Sequence, residues 1–189
     1  MSLPNQLSIL RILLTPLFLL LFLSGKVDFI RLSFLVFFIA VITDWYDGWH
    51  ARKYGLISTF GIFIDPLADK ILTTAAFFAF YKIGIMPVWM VLVIAVRDIV
   101  ITILRSYREY KGDTMKTTFI AKTKTFIQMT YIFLILILVV LMTFNINDNL
   151  RNGISDFLQS ELNYYMIMTI TLVTLYTGIS YLIELKKNN

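Results

Sequence analysis

Long apolar runs alternate with short polar clusters along this chain, and each run is about twenty residues long, enough for a helix to cross the roughly 30 Å hydrocarbon core of a bilayer. The runs extend from about Leu7 to Ser24, Ile30 to Trp49, Ser58 to Tyr81, Met86 to Leu104, Lys122 to Phe144 and Asn163 to Ile183. They predict an all-α polytopic membrane protein with six transmembrane helices. Leu3, Pro4, Asn5 and Gln6 form a short N-terminal interfacial segment ahead of the first. The first run has only Arg11 as an early basic residue, inside the run, and no small-residue cleavage site follows, so it reads as a retained helix and not a signal peptide. The clusters between runs are expected as loops: Arg52, Lys53 and Gly55 in one, and Asn145, Asn147, Asp148, Arg151 and Asp156 in a longer one. Pro66 either bends the third helix from within or begins it.

Composition agrees with the pattern. At 189 residues, 58% hydrophobic and 15% charged, with a mean hydropathy of +0.77, the chain is compatible with one membrane domain over 1–189 and too apolar for an ordinary soluble one. The absence of cysteine excludes disulfides, thiolate nucleophiles and thiolate metal sites. A net charge of +5 raises the question of nucleic acid, but the basic residues lie between the spans and form no continuous patch, which suits anionic lipid head groups or a phosphorylated substrate. With six spans both termini share a side. Of the 17 Lys and Arg residues, all but Lys26, Arg31, Lys82 and Arg151 fall toward that side, which the positive-inside rule assigns to the cytoplasm.

Candidate chemistry is concentrated in one stretch. Asp44, Asp47, Gly48 and Ala51 follow the three-and-four spacing of a single helix face, and Gly61, Asp65 and Asp69 step by four on the next helix. A carboxylate at membrane depth costs several kcal/mol unless something compensates it, so four on adjoining helices point to a cation. An all-oxygen site suits Mg²⁺ or Mn²⁺, and a pair of ions would clamp the attacking and leaving oxygens of a phosphoryl transfer. The plainer alternative is a set of structural pairs with Arg52, Lys53 and Lys70. Gly48, Ala51 and Gly61 equally suit close helix packing, and Arg11 either snorkels to the interface or faces the acidic pocket. His50 reads as an exposed neighbour of the stretch.

The full pattern of Asp44, Asp47, Gly48, Ala51, Arg52, Gly61, Asp65 and Asp69 resembles the signature of the CDP-alcohol phosphatidyltransferases at every position. Pro4, Asn5, Arg11, Thr15 and Pro16, the stretch from Arg97 to Arg105, and Lys122, Lys124, Thr125 and Gln128 are similar to the bacterial phosphatidylglycerophosphate synthases within that family. Asp98 and Ala121 depart from the pattern, where glutamate and glycine are expected. The resemblance implies a six-helix enzyme that transfers a phosphatidyl group from CDP-diacylglycerol to glycerol 3-phosphate with release of CMP. It further implies that Asp44, Asp47 and Asp65 hold a divalent ion or ion pair, that Asp69 shares the second ion and removes the acceptor's proton, and that Gly48, Ala51, Arg52 and Gly61 line the nucleotide site. Homodimerisation is implied as well. Arg97, Arg105 and Lys122 are the first candidates for the acceptor phosphate, since Arg binds phosphate in bidentate fashion and Lys as a point charge. Other acceptors such as serine, an inositol phosphate or phosphatidylglycerol, a cation transporter, and a lipid-binding scaffold are the competing readings.

Overall fold

The computed structural model describes residues 3–54, 59–112 and 119–187, with the side chains of residues 3, 4, 45, 47–54, 59, 60, 62, 119, 184, 186 and 187 outside that description. The described residues are almost entirely helical and contain no strand: α1 (Leu3–Leu23), α2 (Val27–Tyr54), α3 (Thr59–Lys82), α4 (Val88–Tyr110), α5 (Phe119–Leu141), α6 (Asp148–Gln159) and α7 (Glu161–Lys187). Asn5–Leu23, Ile120–Leu141 and Glu161–Ile183 are apolar and long enough to cross a membrane. At 28, 24 and 23 residues, α2, α3 and α4 have comparable length, but they carry the charged residues from which the functional reading starts. Leu13, Leu20, Phe126 and many other large apolar side chains are exposed, whereas Ser8, Arg11, Asp98 and Lys124 are buried. That inverted distribution is what lipid as solvent demands, with polar groups turned inward to find partners.

The chain divides into two compact units. One comprises Met1–Ala76 with Thr102–Met115, the other Phe77–Ile101 with Lys116–Asn189. In the first, α1 packs extensively along α2, with Phe18 against Phe22 and Phe37 at ring-centroid distances of 5.7 and 5.3 Å. In the second, α7 packs against α5 and α6. Tyr131 packs against the rings of Phe77 and Phe80 and donates its hydroxyl proton to Asn163 Oδ1 at 2.9 Å, while Asn163 Nδ2 donates to Leu158 O at 2.8 Å. That chain of bonds satisfies polar groups buried among apolar helices.

Three sequence expectations change. Leu3 to Gln6 are the first turns of α1 and not a separate lead-in. Arg52 and Lys53 belong to α2, which continues to Tyr54, so the expected loop is shorter; Gly55 lies outside the described residues. The polar segment after α5 folds into α6, capped by Asn147, whose side chain accepts from the Asn149 N–H at 3.2 Å, and anchored by buried Ile154 and Leu158. Pro66 lies inside α3. That helix ends in a Schellman motif: Gly84 adopts φ +81°, its N–H reaches Tyr81 O, and the Ile85 N–H reaches Phe80 O, both at 3.0 Å.

Candidate active site

Four residues of α1 build one wall of the site. Asn5, Ser8, Arg11 and Thr15 are separated by three, three and four positions, so they form one stripe along the helix, and all four are buried. Thr15 Oγ1 donates to Arg11 O at 2.9 Å, which ties the stripe together. The C-terminal part of α2 supplies Asp44, and the N-terminal half of α3 supplies Asp65 and Asp69.

The stripe meets the acids directly. Arg11, with no exposed surface, pairs with Asp44 through Nη1 and Oδ1 at 2.6 Å. Ser8, also fully buried, donates its hydroxyl proton to Asp65 Oδ1. Asp69 Oδ2 pairs with the neighbouring Lys70 Nζ at 2.6 Å, and Thr73 Oγ1 donates to the Asp69 carbonyl at 3.1 Å. Asp44 lies within Coulombic reach of Asp65, Asp69 and Lys70, so α2 and α3 bring three of the four expected acids into one electrostatic neighbourhood. Arg11 thus faces the acidic pocket and does not snorkel. Lys70 is one of the three bases expected in the plainer, structural reading of the acids.

The donors fit a hard divalent cation in kind, being carboxylate oxygens close enough to repel one another and compensated by neighbouring cations and a hydroxyl. Among the described residues no three acidic or histidine side chains close into a finished coordination shell. The side chains of Asp47, Gly48, Ala51 and Arg52 lie outside the description, although their backbone is helical in α2. Gly61 is buried in α3.

The expected phosphate-binding residues are distributed differently. In the second unit, Asp98 of α4 is the centre of a closed network: Lys124 Nζ donates to both of its oxygens at 2.6 Å, Arg97 Nη1 to Oδ1 at 3.0 Å and Gln128 Nε2 to Oδ2 at 3.3 Å. Arg97 Nη2 donates to Thr177 Oγ1 on α7 at 2.8 Å. Its side chain lies over Gly178, where an added Cβ would come within 2.8 Å of Arg97 Cγ. Arg97 is therefore engaged in an ion pair with Asp98. Lys122 is exposed on α5, and Arg105, in the first unit, is exposed on α4.

Ser8, Thr177 and Gly178 carry no signal as single residues. Ser8 is recoverable only from its spacing with Asn5 and Arg11 on one helix face.

Known proteins place this arrangement in context. A family model described as CDP-alcohol phosphatidyltransferase matches residues 1–175. A Bacillus subtilis protein named CDP-diacylglycerol--glycerol-3-phosphate 3-phosphatidyltransferase is 36% identical over 141 residues, covering 68% of this chain and 72% of that protein. A Rickettsia typhi protein of the same name is 36% identical over 128 residues, 68% of this chain and 72% of its own. A Mycobacterium tuberculosis protein named probable phosphatidylglycerophosphate synthase is 36% identical over 130 residues, 67% of this chain and 62% of its own.

Proposed function

The chain belongs to the CDP-alcohol phosphatidyltransferases, and from that premise we propose that it transfers the phosphatidyl group of CDP-diacylglycerol to glycerol 3-phosphate. The acceptor hydroxyl oxygen bonds to the phosphatidyl phosphorus, the bond from that phosphorus to the bridging oxygen breaks, and CMP leaves, giving phosphatidylglycerophosphate. The observation that carries this reading is the intact eight-position motif, with Asp44, Asp65 and Asp69 in one neighbourhood. The names of the relatives favour glycerol 3-phosphate as acceptor.

In this reading Asp44, Asp47, Asp65 and Asp69 are the ligands for Mg²⁺ or Mn²⁺, as one ion or a pair. Bound there, a divalent ion neutralises the pyrophosphate and the departing CMP. Asp69 accepts the proton of the attacking hydroxyl, a role that typically contributes about 10² to 10⁴ in rate. Gly48, Ala51, Arg52 and Gly61 line the nucleotide site, and Arg105 serves the acceptor phosphate. The site and both termini face the cytoplasm, where nucleotides are available, and the working unit is a homodimer.

The test is an acceptor panel. Purified protein is incubated with CDP-diacylglycerol, Mg²⁺ and, separately, glycerol 3-phosphate, serine, inositol phosphate or phosphatidylglycerol, and CMP is measured. Release with glycerol 3-phosphate alone is expected. Release only with another acceptor moves the assignment within the family, and metal flux into liposomes without CMP release replaces the enzyme by a transporter.

A further inference from the structure

Helix α1 lies outside the eight-position motif, yet it touches two of the motif's acids. Ser8 and Arg11 are three residues apart on its buried face and have no exposed surface. Each binds one carboxylate, and in both cases the bound atom is Oδ1: Ser8 Oγ on Asp65, Arg11 Nη1 on Asp44. Among the described residues, Oδ2 of Asp44 and Oδ2 of Asp65 receive no hydrogen bond.

Ser8 Oγ has a partner outside its own helix. A hydroxyl buried in an apolar helix has a partner at hand in the carbonyl four residues back, and Thr15, Thr171 and Thr174 use it, at 2.9, 2.8 and 2.7 Å. Ser8 Oγ reaches beyond its own helix and donates to an acid 57 positions away in sequence. Arg11 buries a full charge to form an ion pair with Asp44, an arrangement that is costly in desolvation unless the partner is fixed.

We propose that Ser8 and Arg11 are positioning residues for the divalent-ion ligands, holding the Oδ1 edges of Asp65 and Asp44 so that their Oδ2 edges are left for the ion. The inference rests on the ion reading given above. Ligating carboxylates are themselves held by outer hydrogen bonds, and losing such a partner typically weakens metal affinity by about 10- to 100-fold. Arg11 has a second effect: its charge offsets the mutual repulsion of Asp44, Asp65 and Asp69 and keeps them together before the ion arrives.

Mn²⁺ alone is the probe, titrated into the purified full-length protein in detergent, with free ion followed by electron paramagnetic resonance and no substrate present. Ser8→Ala is expected to weaken Mn²⁺ binding by about 10- to 100-fold, while melting in EDTA stays at the parent temperature. Ser8→Thr keeps the hydroxyl and restores affinity. Arg11→Gln weakens binding, and Arg11→Lys falls between it and the parent. If Ser8→Ala lowers the EDTA melting temperature and leaves Mn²⁺ affinity unchanged, the serine is structural and the inference is overturned. Asp65→Asn and Asp44→Asn separate the two levels. Mn²⁺ affinity that survives both removes the ion reading itself; affinity lost in both but retained in Ser8→Ala removes only the role of α1.

Discussion

Aspartates 44 and 98 both sit on apolar helices beside an arginine, but their surroundings follow opposite plans. Asp98 is 1% exposed and receives Lys124 on both oxygens, Arg97 on one and Gln128 on the other. Asp44 is 45% exposed and receives Arg11 on Oδ1 only. A carboxylate surrounded by donors on both oxygens has no edge left for a ligand, and its partner Lys124 is buried with it. One held at a single oxygen, with its neighbours Asp65 and Asp69 in Coulombic reach, is strained by like charge and able to accept a cation. The same residue types therefore build a strut in one unit and, as we propose, a site in the other, and counting charges in apolar helices does not tell them apart.

The largest expected effect lies on the open side. Asp69→Asn keeps shape and hydrogen bonding but removes proton-accepting capacity, so turnover is expected to fall by about 10² to 10⁴ with binding of CDP-diacylglycerol largely spared. Single-turnover CMP release and a separate nucleotide-binding measurement check it. Equal losses in both would make Asp69 a binding residue and leave the proton without an acceptor.

Next comes the closed side. Asp98→Ala leaves buried Lys124 and half-buried Arg97 without their shared anion, and breaking a buried pair such as Lys124–Asp98 typically costs about 3–5 kcal/mol. Thermal unfolding in detergent should show a large drop. Unchanged stability with lost activity would erase the distinction between strut and site.

How much of this was visible in the chain differs by level. The apolar runs gave the helices, because a bilayer sets their length and composition. Helix ends were less visible, since hydropathy reports where a span stops and not where the helix does: Arg52 and Lys53 are good helix formers, and α2 runs on through them. Helix α6 has the polar composition of a loop, although Leu150, Ile154, Phe157 and Leu158 keep helical spacing. In the proposed site, the common neighbourhood of Asp44, Asp65 and Asp69 is legible from spacing. Partner choice was not: that Arg11 takes Asp44 while Lys124 and Arg97 share Asp98 depends on packing between helices distant in sequence.

A smaller effect sharpens the closed network. At Gly178 a methyl group would stand 2.8 Å from Arg97 Cγ and 3.2 Å from Nε, near the root of the side chain and not at its flexible end. Gly178→Ala should therefore displace Arg97 from Thr177 and Asp98 at a cost of about 1–3 kcal/mol, read as a lowered melting temperature. Truncating Arg97 to alanine as well should remove most of the additional penalty; if it does not, the glycine matters for helix packing alone.

The smallest expected effect concerns Arg105, which is exposed on α4 and therefore contributes to stability only weakly. If it binds the acceptor phosphate, Arg105→Ala should raise KM for glycerol 3-phosphate about tenfold, equivalent to about 1.4 kcal/mol, and leave KM for CDP-diacylglycerol unchanged. Arg105→Lys should fall between the two, because an ammonium keeps the charge but not the bidentate fork. Added salt should narrow the gap between parent and Arg105→Ala, since the lost attraction is that of an exposed charge. A rise in both KM values together would place Arg105 at the shared pyrophosphate and not at the acceptor. The open side of the comparison would then extend to α4, and Lys122 would become the next residue to replace.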